Sequence, residues 1–179
     1  MTDMRIANAP CSWGALEFEG LEGEEIPYGQ MLDELRDTGY AGTELGDLGY
    51  MPTDPGALRQ ELERRNLAMV GAFVPVALKD PDAHARGEAH ALEVARLLAG
   101  VMDSGSGKSA PLVILADDNG TDPVRTQHAG RVIPQMGLSA AEWDTFARGA
   151  ERIARAVRRE TVLQTAFHHH CAGYVETPE

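Results

Sequence analysis

Two apolar rhythms alternate along the chain. Short apolar runs at Arg5–Ala9, Ala41–Leu45, Ala68–Val74, Leu112–Ala116 and Leu163–His168 read as strands. The third is continuous and apolar, as in a parallel sheet covered on both faces, and Pro75 is expected to end it. Between these runs the period changes to that of a helix. Tyr28, Met31, Leu32 and Leu35 form one stripe within Pro27–Thr38, and Gly39 follows as a helix stop. Thr53-Asp54-Pro55 opens a helix carrying Leu58 and Leu62 to about Asn66. Asp82–Met102 forms a third helix with Ala91, Val94, Ala95 and Leu98 on one face. Ser139 and Glu142 have capping-box spacing, and Trp143, Phe146, Ala147, Ala150, Ile153, Ala154 and Val157 follow as the buried face of a fourth. Asp103–Pro111 is a Gly/Ser-rich connector, and Asp117–Gly137 is a long polar loop.

The order βαβαβαβαβ implies right-handed crossovers and a parallel sheet. An open doubly wound sheet and a closed (β/α)8 barrel both use it. A complete barrel takes about 250 residues, whereas this chain has 179. Four and a half units would be about half a barrel, and the pattern alone leaves the choice open. An open flavodoxin-like sheet wants a small-residue phosphate cradle after its first strand, where this chain has the bulky Pro10-Cys11-Ser12-Trp13-Gly14. Ser106-Gly107-Lys108-Ser109 imitates the end of a P-loop, but Met102 stands where that motif needs glycine and the segment precedes a strand.

The net charge of −12 argues against nucleic acid and against an anionic membrane surface. No apolar run is long enough to span a bilayer, and with neither a basic nor an apolar stretch before the first strand no signal peptide is expected. Cys11 and Cys171 make no disulfide framework, so a cytoplasmic location is expected.

In either architecture chemistry belongs at the C-terminal strand ends. Cys11, Ser12 and Trp13 follow the first strand, and Glu44, Gly46 and Asp47 end the second. Asp117, Asp118 and Asn119 end the fourth, and His168, His169 and His170 end the fifth, followed by Glu176. Strand alternation places His168 and His170 on one face, able to bind a substrate hydroxyl, move a proton or ligate a metal, and His169 on the other. Glu44 ends a buried strand, where an unpaired carboxylate is costly. Trp13 is either an aromatic wall for a sugar ring or a core residue. Asp117 and Asp118 are split between lining a pocket and forming a turn, and Glu176 between a hard oxygen ligand and an exposed helix-start residue.

Asn8-Ala9-Pro10-Cys11-Ser12-Trp13-Gly14, Gly39-Tyr40-Ala41-Gly42-Thr43-Glu44-Leu45-Gly46 and Phe167-His168-His169-His170 through Val175-Glu176-Thr177 resemble strand ends of inosose dehydratase-like proteins. These are xylose isomerase-like TIM barrels, a group of sugar-phosphate isomerases and epimerases. The resemblance implies one barrel domain over residues 1–179, incomplete at its C-terminus. It implies a divalent metal, Mn²⁺ or Co²⁺, and a sugar or polyol ketone as substrate, with enediolate formation leading to isomerisation, epimerisation or dehydration in inositol and carbohydrate metabolism. By the same resemblance Glu176 becomes the first metal ligand, His168 and His170 contact the metal's ligands or the substrate, and Glu44, Asp118 and Asn119 line the pocket. The strand-end residues taken together make His168, His170 and Glu44 the catalytic candidates and Cys11, Trp13, Asp117, Asp118, Asn119 and His169 the candidate substrate contacts. The family's remaining ligands come from later strands, so this length alone is expected to be inactive. The alternative is a non-catalytic sugar-binding half-barrel, and the open sheet edge is an expected surface for self-association.

Overall fold

The computed structural model describes residues 4–14, 26–102 and 110–177. Five parallel strands alternate with helices: β1 (Ala7–Asn8), α1 (Tyr28–Asp37), β2 (Gly42–Glu44), α2 (Pro55–Glu63), β3 (Ala68–Val76), α3 (His84–Val101), β4 (Leu112–Asp117), α4 (Pro123–Gln127), α5 (Ala140–Thr161) and β5 (Gln164–His168). The sheet order β1-β2-β3-β4-β5 follows the sequence, as it does where each strand is added by a right-handed crossover on the same side. The P-loop-like Ser106–Ser109 lies outside the described residues. Among those described, no helix is long and apolar enough to cross a membrane.

Two compact units divide the chain, Met1–Phe73 with Val94–Leu112, and Val74–Glu93 with Val113–Glu179. In the first, β1 pairs with β2 and β2 with β3, the latter with a register shift between Thr43 and Glu44. The expected stripe of α1 is found at Met31, Leu32 and Leu35, all fully buried, while Tyr28 stays half-buried. Asp54 caps α2 by accepting the Ala57 N–H at 2.8 Å. Buried Arg65 clasps α1 to α2, donating to Asp33 at 2.8 Å and to the Gly29 carbonyl at 3.0 Å.

In the second unit the capping box is present: the Ser139 N–H donates to Glu142 at 2.8 Å, and the Ser139 hydroxyl accepts from the Glu142 N–H. The buried face of α5 is Phe146, Gly149, Ile153, Ala156, Val157 and Thr161. Ala147 is exposed, and Trp143 is 39% exposed, stacked edge-on against Phe146 at 5.3 Å. The stripe is rotated from the expected one and includes Gly149, which packs against the His84 ring, a contact without an apolar signature in the sequence.

Two further expectations are corrected. Pro75 lies inside β3, and the strand continues to Val76, whose carbonyl accepts the Asp118 N–H at 3.0 Å. The polar stretch after β4 is built rather than open: Asp122 caps α4 with bonds to the Val124 and Arg125 N–H groups, and a 3₁₀ turn follows at Pro134–Met136.

Candidate functional site

In the first unit the end of β1 is shaped by Asn8. Its side-chain oxygen accepts from the Ala9 N–H at 2.8 Å and from the Ser12 hydroxyl at 3.0 Å, holding the 3₁₀ turn Pro10–Trp13. Cys11 is exposed on that turn. The Trp13 indole N–H donates to Glu34 at 2.6 Å, so its polar edge is committed to α1. Glu44 is half-buried at the end of β2, and burial pushes its carboxyl above the usual carboxylate range. Gly46 then turns the chain at φ 70°, and a side chain there would meet Pro10 at 2.9 Å. This close approach brings the β2 end against the β1 turn.

In the second unit the ends of β4 and β5 come together. The Asn119 amide nitrogen lies 2.9 Å from His170 Nδ1, which is also 2.9 Å from the Cys171 carbonyl. Nδ1 serves one of the two at a time. Accepting from Asn119 places the ring proton on Nε2, and donating to Cys171 places it on Nδ1. The His168 ring lies 5.7 Å from each of the His169 and His170 rings, stacked on the first and tilted to the second. This corrects the expected alternation. β5 ends at His168, so the period-two rule no longer governs the next two residues and all three imidazoles gather. Burial, then the neighbouring His170 and His169, hold the His168 pKa below the ordinary imidazole value.

Asp117 is buried, which raises its pKa, and it accepts the Tyr174 N–H at 2.9 Å. Burial also raises the pKa of Asp118. The loop beyond β5 folds back on itself, with the His170 N–H donating to the Val175 carbonyl at 3.1 Å and Ala172 at φ 67°.

Glu176 is spent inside this loop. Its carboxylate accepts the Ala172 N–H at 2.7 Å and the Gly130 N–H, and it lies 4.0 Å from the Arg125 guanidinium. N–H donors and a cation surround it, which is the wrong environment for Mn²⁺ or Co²⁺. Among the described residues no group of three or more His, Cys, Asp or Glu could hold a metal ion. The residues in hand do not fit the cofactor that the resemblance implies.

The residue that sequence reasoning missed is Arg125. It is 3% exposed, and its Nε and Nη2 donate to the Gly173 carbonyl at 2.9 and 2.6 Å. Nη1 donates to the Met136 carbonyl at 2.7 Å. The Tyr174 ring covers the guanidinium at 4.9 Å, and the Tyr174 hydroxyl donates to Asp122 at 2.8 Å. An arginine in a polar loop carries no periodic signal. The signal that could have found it is Asp122-Pro123, a capping side chain followed by proline at an early helical position.

No family model matches the chain. It is 31% identical over 182 residues to the rhizopine catabolism protein MocC of Rhizobium meliloti, covering the whole chain and 51% of that protein. It is 28% identical over 175 residues to an inosose dehydratase of Geobacillus kaustophilus, covering 98% of the chain and 53% of the relative. An inosose dehydratase of Lacticaseibacillus casei is 26% identical over 174 residues, 97% of the chain and 54% of that protein. The chain thus spans about half the length of the curated relatives it matches. A crystal structure of a xylose isomerase-like TIM barrel protein from Mycobacterium smegmatis in complex with magnesium superposes with a TM-score of 0.62 at 14% identity, covering 97% of this chain and 57% of that one.

Proposed function

We propose that this chain, which has the fold of the xylose isomerase-like TIM barrels and is related to inosose dehydratases along its whole length, supplies strand-end residues of a dehydratase or isomerase acting on a cyclic polyol ketone. The observation that carries the reading is the gathering of His168, His169, His170 and Asn119 where β4 and β5 end. A neutral imidazole beside a hydrogen-bonded one is what proton abstraction next to a ketone needs.

In this reading His168, whose lowered pKa keeps it neutral near pH 7, takes the proton from the carbon beside the ketone. The bonding pair moves toward the carbonyl oxygen and forms an enediolate. His170, in the tautomer protonated on Nε2, donates to that oxygen. Departure of the β-hydroxyl, which takes up a proton, yields water and an enol that ketonises. Return of the proton to the neighbouring carbon gives the isomerase outcome. His169 and Asn119 bind substrate hydroxyls. In the first unit burial pushes the Glu44 carboxyl above the usual carboxylate range, which suits Glu44 to an acid role, and Cys11 and Trp13 are the proposed polyol contacts of that unit. No step is assigned to a metal.

The test is exchange of the α-proton of 2-keto-myo-inositol with deuterated solvent, followed by NMR with the 179-residue chain. Exchange above the buffer rate, lost about a hundredfold in His168→Gln, supports the reading, and exchange unchanged by that variant overturns it. A second reading, a non-catalytic sugar-binding module, is favoured by the spent Glu176 and by the lack of a metal-ligand group among the described residues. Saturable binding of the ketone without any exchange selects it.

A further inference from the structure

A cavity of about 370 Å³ in the second unit lies between the end of β3 and the first turns of α3. Arg86, His90 and Asp118 supply its polar lining, and Val76, Ala77 and Ala83 are among its apolar residues. Arg86 and His90 are one helical turn apart and so share a face of α3. The adjacent carboxylates Asp117 and Asp118 divide here. Asp117 is engaged by the Tyr174 N–H, whereas Asp118 lines the cavity. Among the described residues, no hydrogen bond or ion pair engages the side chains of Asp118, Arg86 or His90, although the Arg86 charge acts on Asp118. Three polar groups with unspent capacity therefore converge on one apolar-floored cavity, the composition of a small-molecule site.

We propose that this cavity binds a small polyol carrying one anionic group. A carboxylate accepts two neighbouring hydroxyls, a guanidinium grips a phosphate or carboxylate in a fork, and an imidazole adds one more donor. The apolar residues meet the C–H face of a ring. The volume, at the small end of ligand pockets, suits a single ring. Phosphate and carboxylate share the chemistry that Arg86 recognises, so a polyol phosphate and a sugar acid are both members of the class. The site does not require the chain to be a catalyst, and its failure would leave the dehydratase reading standing.

The experiment is calorimetric titration of the 179-residue chain with myo-inositol 1-phosphate, glucuronate, myo-inositol and inorganic phosphate. Saturable binding of the inositol phosphate or of glucuronate, tighter than either inositol or phosphate alone, is expected, and which of the two binds identifies the anion. Arg86→Ala weakens it about tenfold, the loss of one charge-assisted hydrogen bond. Asp118→Asn, which removes a carboxylate that the Arg86 charge acts on, lowers the preference for the polyol anion over inorganic phosphate. Equal binding of inorganic phosphate and of the polyol anions, no saturation with either anion, or indifference to both substitutions in variants whose melting temperatures are unchanged, overturns the proposal.

Discussion

Val162 closes α5 at φ 60°, in the left-handed region, with 79% of its surface exposed. A β-branched side chain is strained there, and exposure means that little packing offsets the strain. Val162→Gly is therefore expected to stabilise the chain by about 1 kcal/mol, read as a higher urea midpoint at unchanged slope. His168 makes the opposite kind of residue-scale statement. Its pKa is lowered in the fold, so the unfolded chain binds a proton more readily than the folded one. Its contribution is intact above the unfolded imidazole pKa of about 6.5 and is lost as pH falls through that value toward the folded pKa. An NMR titration should place His168 below a free imidazole, and stability should fall less between neutral and mildly acidic pH in His168→Gln than in the wild type. The three histidines were legible as a site because of their position after an apolar strand. Their geometry was not, because period two describes a strand and the strand ends at the first of them.

At the scale of elements, the long helices were readable where an apolar stripe or a cap wrote them down: Met31, Leu32 and Leu35, the Asp54 cap, and the Ser139–Glu142 box. Gly149 was not, since a glycine in a helix pattern says nothing about the ring that fills its place. A methyl group at Gly149 would fall inside the His84 imidazole, whose Nε2 sits 2.8 Å from the Leu78 carbonyl. Gly149→Ala is expected to cost about 1–3 kcal/mol through overpacking, measured by chemical denaturation. Arg125 acts on the loop between α4 and α5 and on the one after β5. Arg125→Ala leaves the buried Gly173 carbonyl and the Met136 carbonyl without their donor, at a cost of about 2–4 kcal/mol. Amide exchange should quicken at Gly173 and Gly137 well before it does in α5. Uniform quickening would show that Arg125 supports the whole unit rather than these loops.

For the whole molecule, strand alternation and resemblance predicted the barrel-type fold, and the superposition on a xylose isomerase-like barrel bears this out. The Glu176 environment was beyond sequence reasoning because its partners, Gly130, Ala172 and Arg125, were scattered through stretches with no periodic pattern. Among the described residues, β1 and β5 each have a single strand neighbour. Phe167 on β5 is 41% exposed and Ile6 beside β1 is 62% exposed. Edges of this kind favour association, and the −12 charge opposes it. Salt screens the repulsion without weakening apolar contact, so sedimentation should show the average mass rising with protein concentration, and more steeply at about 0.5 M than at about 0.05 M salt. Phe167→Lys should return the chain toward its 19.3 kDa monomer. A monomer at every concentration and both salt levels would mean that these edges are covered within the chain itself. Association that weakens with salt would mean that charged surfaces, not the strand edges, hold the copies together.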